Sequence, residues 1–246
     1  MNFTTSSIRI GEGLARASQH WMAGLSAEAR ESTGQPRPAA FTVAISRQHG
    51  ADGTAIAEKL GQRLNWPVYD RDLINHIAKE EGLNAKLVES ADERRVGLLE
   101  WYLQGLSPHT SLGPEAYTQF LVKTLLALSV HGNCIIVGRG AAQLLPADTT
   151  LRVRLVAPLD HRIATIQKKL NLTHEEAALR VQKKDRDRDH FIRATFHKAP
   201  DEATGYDLVL NVERFSVDEC VDLIAQALER CRAQTTVPKS TAAPAG

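Results

Sequence analysis

Residues 41–64 read FTVAISRQHGADGTAIAEKLGQRL, and the interpretation of the rest of the chain starts from them. A short apolar strand comes first, a loop with two glycines follows, and an amphipathic helical pattern completes the stretch. Glycine allows a positive φ and a close approach of the backbone to a ligand, and the start of a helix offers amide hydrogens to an anion. The order strand, glycine loop, helix therefore predicts a phosphate-binding loop.

This loop lacks the lysine of the standard phosphate-binding sequence. In G-x-x-x-x-G-K-[ST], the lysine reaches the terminal phosphates and the hydroxyl binds Mg²⁺. Aligning the helices places Gly53 at the lysine and Thr54 at the hydroxyl, while Asp52 adds a carboxylate beside the expected phosphate. Arg47, where the strand ends, is the candidate that compensates, because a guanidinium binds phosphate oxygens bidentately. An ordinary turn between a strand and a helix, with Thr54 as a helix cap, remains the alternative.

Working outward from this stretch, strand patterns alternate with helical patterns. The strand candidates are Phe41–Ser46, Pro67–Tyr69, Asn133–Gly138, Leu151–Ala157 and Tyr206–Asn211. Several are unbroken apolar runs, which is typical of strands covered by helices on both faces. Thr173 with Glu176, and Ser216 with Glu219, have the spacing of capping boxes at helix starts. We therefore predict an α/β fold with a mostly parallel sheet, whose ligands bind beyond the carboxyl ends of the strands.

The domain organisation is predicted from composition. Residues 1–40 are interpreted as an N-terminal helix followed by a proline-containing linker. The helix, over about Ile8 to Leu25, is expected to pack on the core or on a partner. Residues 41–232 form the main domain, and residues 233–246 are expected to be a disordered tail.

The interval 84–130 interrupts the alternation with two helical stretches, Ala85–Leu103 and Glu115–Val130. We interpret it as a helical insertion over one side of the sheet. Three roles remain open for it: covering a substrate, supporting the structure, or contacting a second copy in a homodimer.

Composition excludes several classes of protein. The net charge of 246 residues is only +1, so nothing indicates a nucleic-acid partner. No apolar run approaches the roughly 20 residues of a membrane span, and the N-terminus lacks the apolar core of a signal peptide. The three cysteines show no metal-ligand spacing, which favours buried thiols in a reducing compartment. We expect a cytoplasmic protein without a membrane partner.

Charged residues follow two other strands and one helix. Asp70 comes directly after a strand, where it either caps the next helix or accepts a hydrogen bond from a substrate. Arg139 lies between two glycines where another strand ends, well placed for an anion. Residues 183–193 read KKDRDRDHFIR, and a solvated helix face is the ordinary interpretation of such a run. Its alternating aspartates argue against a nucleic-acid surface and favour a mobile lid, over 183–200, that brings arginines to transferring phosphates.

Together these segments resemble the cytidylate kinase-like family of P-loop nucleoside monophosphate kinase relatives. The resemblance rests on VAISRQHGADGTAIAEKLGQRLNWPVYDRDLI, IIVGRG, DRDRDHFIR and YDLVLNVERFSVDECVDLI, which span most of residues 41–228. It implies a P-loop NTPase-like, five-stranded parallel sheet flanked by helices, with a helical lid. The family typically has an arginine after the first strand and glycine at the lysine position. This chain departs from the family at Asp52, where glycine is favoured.

The resemblance also implies roles for individual residues, with ATP and Mg²⁺ as cofactors. The donor phosphates are expected along the loop, at Ser46, Arg47, Gly50, Ala51, Asp52, Gly53 and Thr54, with Mg²⁺ near Thr54. The acceptor is expected at Asp70, Arg139 and Asp185. The catalytic arginines are expected to be Arg47, Arg186, Arg188 and Arg193.

The implied reaction is transfer of the terminal phosphate of ATP to a small acceptor, and the expected acceptor is a pyrimidine nucleoside monophosphate such as CMP or dCMP. Three alternatives stay open: a nucleotide sensor with weak turnover, a kinase of a non-nucleotide metabolite, and a structural scaffold whose helical ends serve assembly.

Overall fold

The computed structural model describes residues 10–22, 40–80, 82, 87 and 114–236. In chain order its elements are α1 (10–22), β1 (Thr42–Arg47), α2 (Gly53–Leu64), β2 (Val68–Tyr69), α3 (Arg71–Lys79), α4 (Pro114–His131), β3 (Cys134–Val137), α5 (Ala141–Leu144), β4 (Thr150–Val156), α6 (Leu159–Leu170), α7 (His174–Phe196), a 3₁₀ turn (Ala203–Gly205), β5 (Leu208–Asn211) and α8 (Val217–Thr236).

The five strands form one sheet in the order β2-β3-β1-β4-β5, and each recorded pair is parallel. All five predicted strands are confirmed, with ends displaced by no more than two residues. The last strand begins at Leu208 rather than Tyr206. Both residues before it are held by other contacts, since the Tyr206 hydroxyl donates to the Pro200 carbonyl over 2.7 Å and the Asp207 carboxylate accepts from the Arg152 amide over 2.8 Å.

Helices cover both faces of the sheet, which explains the unbroken apolar strands. In β3 the side chain of Ile136 packs with α3 and α4 on one face, whereas Ile135 packs with α2 and α8 on the other. Successive residues of a strand point to opposite faces, so a strand buried on both sides needs apolar residues throughout. The run CIIV is accordingly buried at all four positions.

Local hydrogen bonds begin two of the helices as predicted. The Thr173 amide donates to Glu176 Oε2 over 2.8 Å, and the Glu176 amide donates back to Thr173 Oγ1 over 3.3 Å. Ser216 and Glu219 make the same reciprocal pair at the start of α8. Each capping box satisfies amides that the first turn of a helix leaves without partners.

The second stretch of the predicted insertion is a core helix. Leu121, Leu125 and Leu128 of α4 are fully buried and pack against α3 and the sheet. The first stretch, 85–103, and the linker lie outside the described residues, except for the single position Leu87. Helix α8 runs to Thr236, four residues into the segment predicted as a disordered tail, and residues 237–246 are not described.

Two further observations concern the described part of the chain. None of its helices combines the length and the apolar character needed to cross a membrane. Cys134 and Cys220 are buried free thiols, as the sequence indicated.

Candidate active site

A large cavity opens at the carboxyl ends of β1, β2 and β3, where the parallel sheet predicts a ligand. Its volume is about 1680 Å³. Small-molecule pockets usually measure roughly 300–1,000 Å³, so this cavity has room for two ligands. Arg47, Arg139 and Arg188, which come from three different segments of the sequence, all line it. These three guanidinium groups, predicted separately for the donor, the acceptor and the transferring phosphate, therefore border one cavity.

Arg47 occupies the space that glycines leave at the start of α2 and in the turn after β3. A Cβ placed on Gly53 would lie 2.8 Å from Arg47 Cγ, and one placed on Gly138 would collide with Arg47 Nη1. The arginine therefore crosses the first residue of the helix and ends beside the Gly-Arg-Gly turn. Gly53 stands at the lysine position because the side chain of Arg47 passes there.

The phosphate loop predicted from the sequence has two residues with positive φ. Gly50 has φ 87°, and a Cβ at this position would lie 2.6 Å from the Arg162 carbonyl oxygen. Asp52 adopts the left-handed conformation with φ 44° directly before α2. Aspartate tolerates this conformation better than most residues, because its short polar side chain can bond locally. Ala51, by contrast, is buried in the apolar core.

The Asp52 carboxylate is neutralised from outside the loop. Lys169, in the last turn of α6, forms an ion pair with Asp52 Oδ1. The cavity is lined by Ser46, Arg47 and Thr54 of the predicted donor set, whereas Gly50, Ala51, Asp52 and Gly53 lie behind its surface. The carboxylate that the sequence placed beside the phosphate therefore faces a lysine.

Burial and mutual repulsion make the guanidinium groups receptive to an anion. Burial, together with the charges of Arg188, Arg71 and Arg139, lowers the pKa of Arg47 to about 9. Burial is also the main cause that lowers the pKa of Arg188 and of Arg139. With a pKa of about 9, Arg47 remains protonated at neutral pH. A bound anion would relieve their repulsion and partly offset their desolvation.

Asp70 and Arg139 lie on the predicted acceptor side of the cavity. Asp70 Oδ1 accepts from the amides of Asp72 and Leu73 over 3.0 and 2.9 Å, so it caps α3. Arg139 has φ 56°, and its guanidinium lies 5.4 Å from the ring centroid of Phe191. Arg139 Nε is buried and has no hydrogen-bond partner among the residues that the structure describes. A buried donor without a partner is costly, and an acceptor from a ligand would satisfy it.

The charged run of α7 divides between two faces of the helix. Asp185 forms an ion pair with Arg162 and accepts from the His49 amide over 2.7 Å, which places it at the phosphate loop rather than free on the acceptor side. Arg188 Nη1 donates to the Arg47 carbonyl over 3.0 Å. Arg186 and Arg193 are exposed and do not line the cavity, although Arg193 pairs over 3.0 Å with Asp201, which does. The structure thus brings two of the four predicted α7 side chains to the site.

His49 is a neutral donor or acceptor beside the loop. Burial and the charge of Arg188 lower the pKa of His49 to about 4, and its Nε2 atom is buried without a partner in the described part of the chain. This second unpartnered polar atom borders the same cavity.

Sequence reasoning missed four arginines that line the cavity: Arg16, Arg71, Arg154 and Arg180. Arg71 and Arg154 both line the cavity, and their charges act on Arg188. Arg71 directly follows Asp70, so its position after a strand was a usable signal. Arg154 lies inside β4 and donates to Ser46 Oγ over 2.7 Å. Arg154 alternates with buried residues along β4. This pattern places Arg154 at the site only because β4 pairs with β1.

The residues present fit a nucleotide with Mg²⁺. Thr54 is exposed on the cavity wall in the first turn of α2. No cluster of three or more His, Cys, Asp or Glu side chains suited to a metal is found in the described ranges. Mg²⁺ commonly binds through few protein groups, several waters and substrate phosphates, so a dedicated cluster is not required.

Comparison with known proteins adds independent information. A cytidylate kinase from Methanopyrus kandleri is 28% identical over 108 residues, which are 40% of this chain and 56% of that protein. A protein named uronate isomerase from Corynebacterium glutamicum is 30% identical over 103 residues, which are 42% of this chain and 20% of that protein. The chain therefore spans less than two thirds of either relative.

A solved structure supports the architecture. An uncharacterized protein from Eubacterium ventriosum matches with a TM-score of 0.57 at 17% identity, covering 77% of this chain and 98% of that chain. At this identity the likeness shows the fold alone. The model of the cytidylate kinase-like family matches residues 42–214, from the first strand through the last and including the loop, the Gly-Arg-Gly turn and α7. The chain belongs to the cytidylate kinase-like family.

Proposed function

We propose that this protein transfers the terminal phosphate of ATP to a pyrimidine nucleoside monophosphate, with CMP or dCMP as the acceptor. Family membership supports a kinase of nucleotides or small molecules. The observation that carries the proposal is the shared cavity, in which Arg47, Arg71, Arg139, Arg154 and Arg188 surround a space large enough for two ligands. Phosphates of two substrates would compensate the buried guanidinium groups of Arg47, Arg139 and Arg188.

The reaction needs positioning and charge compensation more than covalent help. An oxygen of the acceptor phosphate attacks the γ-phosphorus of ATP, and the bond from this phosphorus to the β–γ bridging oxygen breaks, which yields ADP and a nucleoside diphosphate. We assign Arg47 and Arg188 to the transferring group, because they meet beside the phosphate loop. Arg139 and Arg71 are assigned to the acceptor phosphate. Guanidinium groups held in place in this way stabilise charge in the transition state without reorganising.

Mg²⁺ bound with ATP near Thr54 would neutralise charge on the donor phosphates. The protein residues would hold the rest of the donor: Ser46 and Thr54, which line the cavity, would bind phosphate oxygens, and Arg47 would take the part of the missing lysine.

An ADP-release assay with CMP, dCMP, UMP and AMP as acceptors tests the proposal. Transfer to CMP or dCMP in preference to AMP supports it and removes the non-nucleotide alternative. Stabilisation by ATP against heat, without ADP release from any acceptor, would favour the nucleotide-sensing alternative. A protein that responds to no nucleotide would refute both.

We also propose the domain boundaries given above, a lid over residues 183–200, a homodimer and a cytoplasmic location. The buried free thiols Cys134 and Cys220 support a reducing compartment. Size-exclusion chromatography with light scattering tests the homodimer, and a monomeric mass across the working concentration range would exclude it.

A further inference from the structure

Helix α1 lies outside the family match, which begins at residue 42, yet it is attached to the core. Trp21 Nε1 donates to the Tyr69 hydroxyl over 3.0 Å, and both side chains are buried. His20 Nε2 lies 2.9 Å from the Gly132 carbonyl oxygen, and Ala17 is fully buried in the same apolar cluster. One face of α1 is therefore fixed to β2 and to the start of β3.

These contacts orient α1 relative to the site. Its last turn, at His20, meets Gly132 just before β3 begins. Its first half meets the other edge of the sheet, where a Cβ on Gly13 would lie 3.2 Å from Leu73 Cδ2. The amide of Leu73 is bonded to Asp70, so only one side chain separates α1 from the predicted acceptor side. The N-terminal half of α1 thus lies at the carboxyl edge of the sheet.

A second face of α1 borders the active-site cavity. Glu12, Arg16 and Gln19 line the same cavity as Asp70 and Arg139. Their i, i+4, i+7 spacing puts them on one helix face. All three are exposed, because Ala17 and Trp21 provide the packing. This polar wall is available for a ligand.

The chemistry of the wall matches the edge of an amino-substituted pyrimidine. Cytosine presents one amine donor next to ring acceptors, whereas uracil presents a carbonyl where cytosine has its amine. A carboxylate accepts only, and a guanidinium donates only. Glu12 and Arg16 therefore offer an acceptor and a donor, the complement of cytosine.

We propose that α1 forms the base-binding wall of the acceptor subsite, with Glu12 accepting from the exocyclic amine of cytosine and Arg16 donating to its ring acceptors. The inference rests on the proposed function, and it assigns selection of the base to a helix added before the family core. It makes Glu12 and Arg16 the residues that distinguish CMP from UMP.

The test is steady-state kinetics of Glu12→Gln with CMP and UMP at saturating ATP. The side-chain amide that this substitution introduces can donate to the uracil carbonyl. It also lacks the negative charge of Glu12, which favours the exocyclic amine of cytosine. A hydrogen bond to a charged group contributes roughly 1.5–3 kcal/mol, so the CMP-to-UMP ratio of kcat/KM should fall about 10-fold or more. Arg16→Ala should raise KM for CMP about 10-fold and leave KM for ATP unchanged. The matched control is Ser18→Ala, an exposed position of α1 that does not border the cavity and should change neither constant.

The outcomes separate this inference from the proposed function. If the wild-type protein phosphorylates CMP and Glu12→Gln keeps the wild-type CMP-to-UMP ratio, the wall is refuted and the kinase proposal stands. If no acceptor is phosphorylated, the kinase proposal fails, and calorimetric titration with CMP then tests the wall directly. Tighter binding of CMP to the wild type than to Glu12→Gln and Arg16→Ala supports it, whereas equal or absent binding refutes it. Thermal unfolding of each variant checks that α1 still packs.

Discussion

The two faces of α7 carry the same kinds of side chain in different surroundings. On the inner face, Asp185 and Arg188 lie three residues apart and contact the phosphate loop. On the outer face, Arg186 and Arg193 lie seven residues apart and face solvent. The helical repeat of 3.6 residues places the two pairs on different faces, so residues adjacent in sequence have opposite environments. A charged run therefore has to be divided by face before its residues are given roles.

The largest effect is expected from Arg47→Ala. Removing a preorganised charge from a site of this kind costs roughly 10²–10³ in rate, so kcat/KM with CMP should fall by at least about 10². The ADP-release assay measures it, with Arg230→Ala on the exposed face of α8 as the matched control. Full activity of Arg47→Ala would remove this residue from the mechanism and leave the lost lysine unexplained.

The stability of the two faces should also differ. The Arg162–Asp185 pair has side-chain exposures of 8% and 24%, against 56% and 71% for Arg193–Asp201. Removing one partner of a buried pair leaves a charge uncompensated, so Arg162→Ala should lower the free energy of unfolding by about 3 kcal/mol. Arg193→Ala should lower it by less than about 1 kcal/mol. Urea unfolding measures both, and equal losses would contradict the comparison.

Arg188→Ala tests the inner face as a source of catalysis. We expect kcat/KM to fall about 10²-fold, because Arg188 borders the cavity and meets Arg47. Arg193→Ala, measured in the same assay, should lose much less if α7 keeps this orientation during turnover. An equal loss for Arg193→Ala would instead support the lid predicted from the sequence, with the outer arginines moving onto the substrates.

Much of the fold was predictable because each signal is local. The apolar run of β3, the glycines of the first loop and the capping box at Thr173 are properties of a few adjacent residues. The sheet order was not available from such signals, since it depends on which strands become neighbours. Arg154 shows the consequence: it enters the site only because β4 pairs with β1.

The candidate site was predictable in its centre and less so at its borders. Arg47, Arg139 and Asp70 follow strands directly, and parallel strands bring their carboxyl ends together. The sequence shows that Asp52 adds a carboxylate beside the expected phosphate, but it does not show the partner of that carboxylate. Lys169 is 117 positions away, and the pairing is tertiary. The role of α1 was equally hidden, since an amphipathic pattern shows which face is apolar and not what the polar face borders.

The smallest effect concerns Asp189, also on the inner face. Burial raises the pKa of the Asp189 carboxyl, and the charges of Asp185 and Asp201 add to the shift, while Arg154 and Arg193 oppose it. The native state then binds this proton more tightly than the unfolded chain does. The contribution of Asp189 to the free energy of unfolding is therefore most favourable below the unfolded pKa of about 3.9 and declines as pH rises through the native pKa.

Asp189→Asn removes the charge and should stabilise the protein at pH 7, by about 0.5 kcal/mol or less because the group is only partly buried. The advantage should shrink as the pH approaches 4, where the wild-type carboxyl is increasingly protonated in both states. Urea midpoints at pH 4 and pH 7 measure the difference, with Glu229→Gln on the exposed face of α8, outside the cavity lining, as the comparison. An advantage that is the same at both pH values would show that packing, rather than the buried charge, causes it.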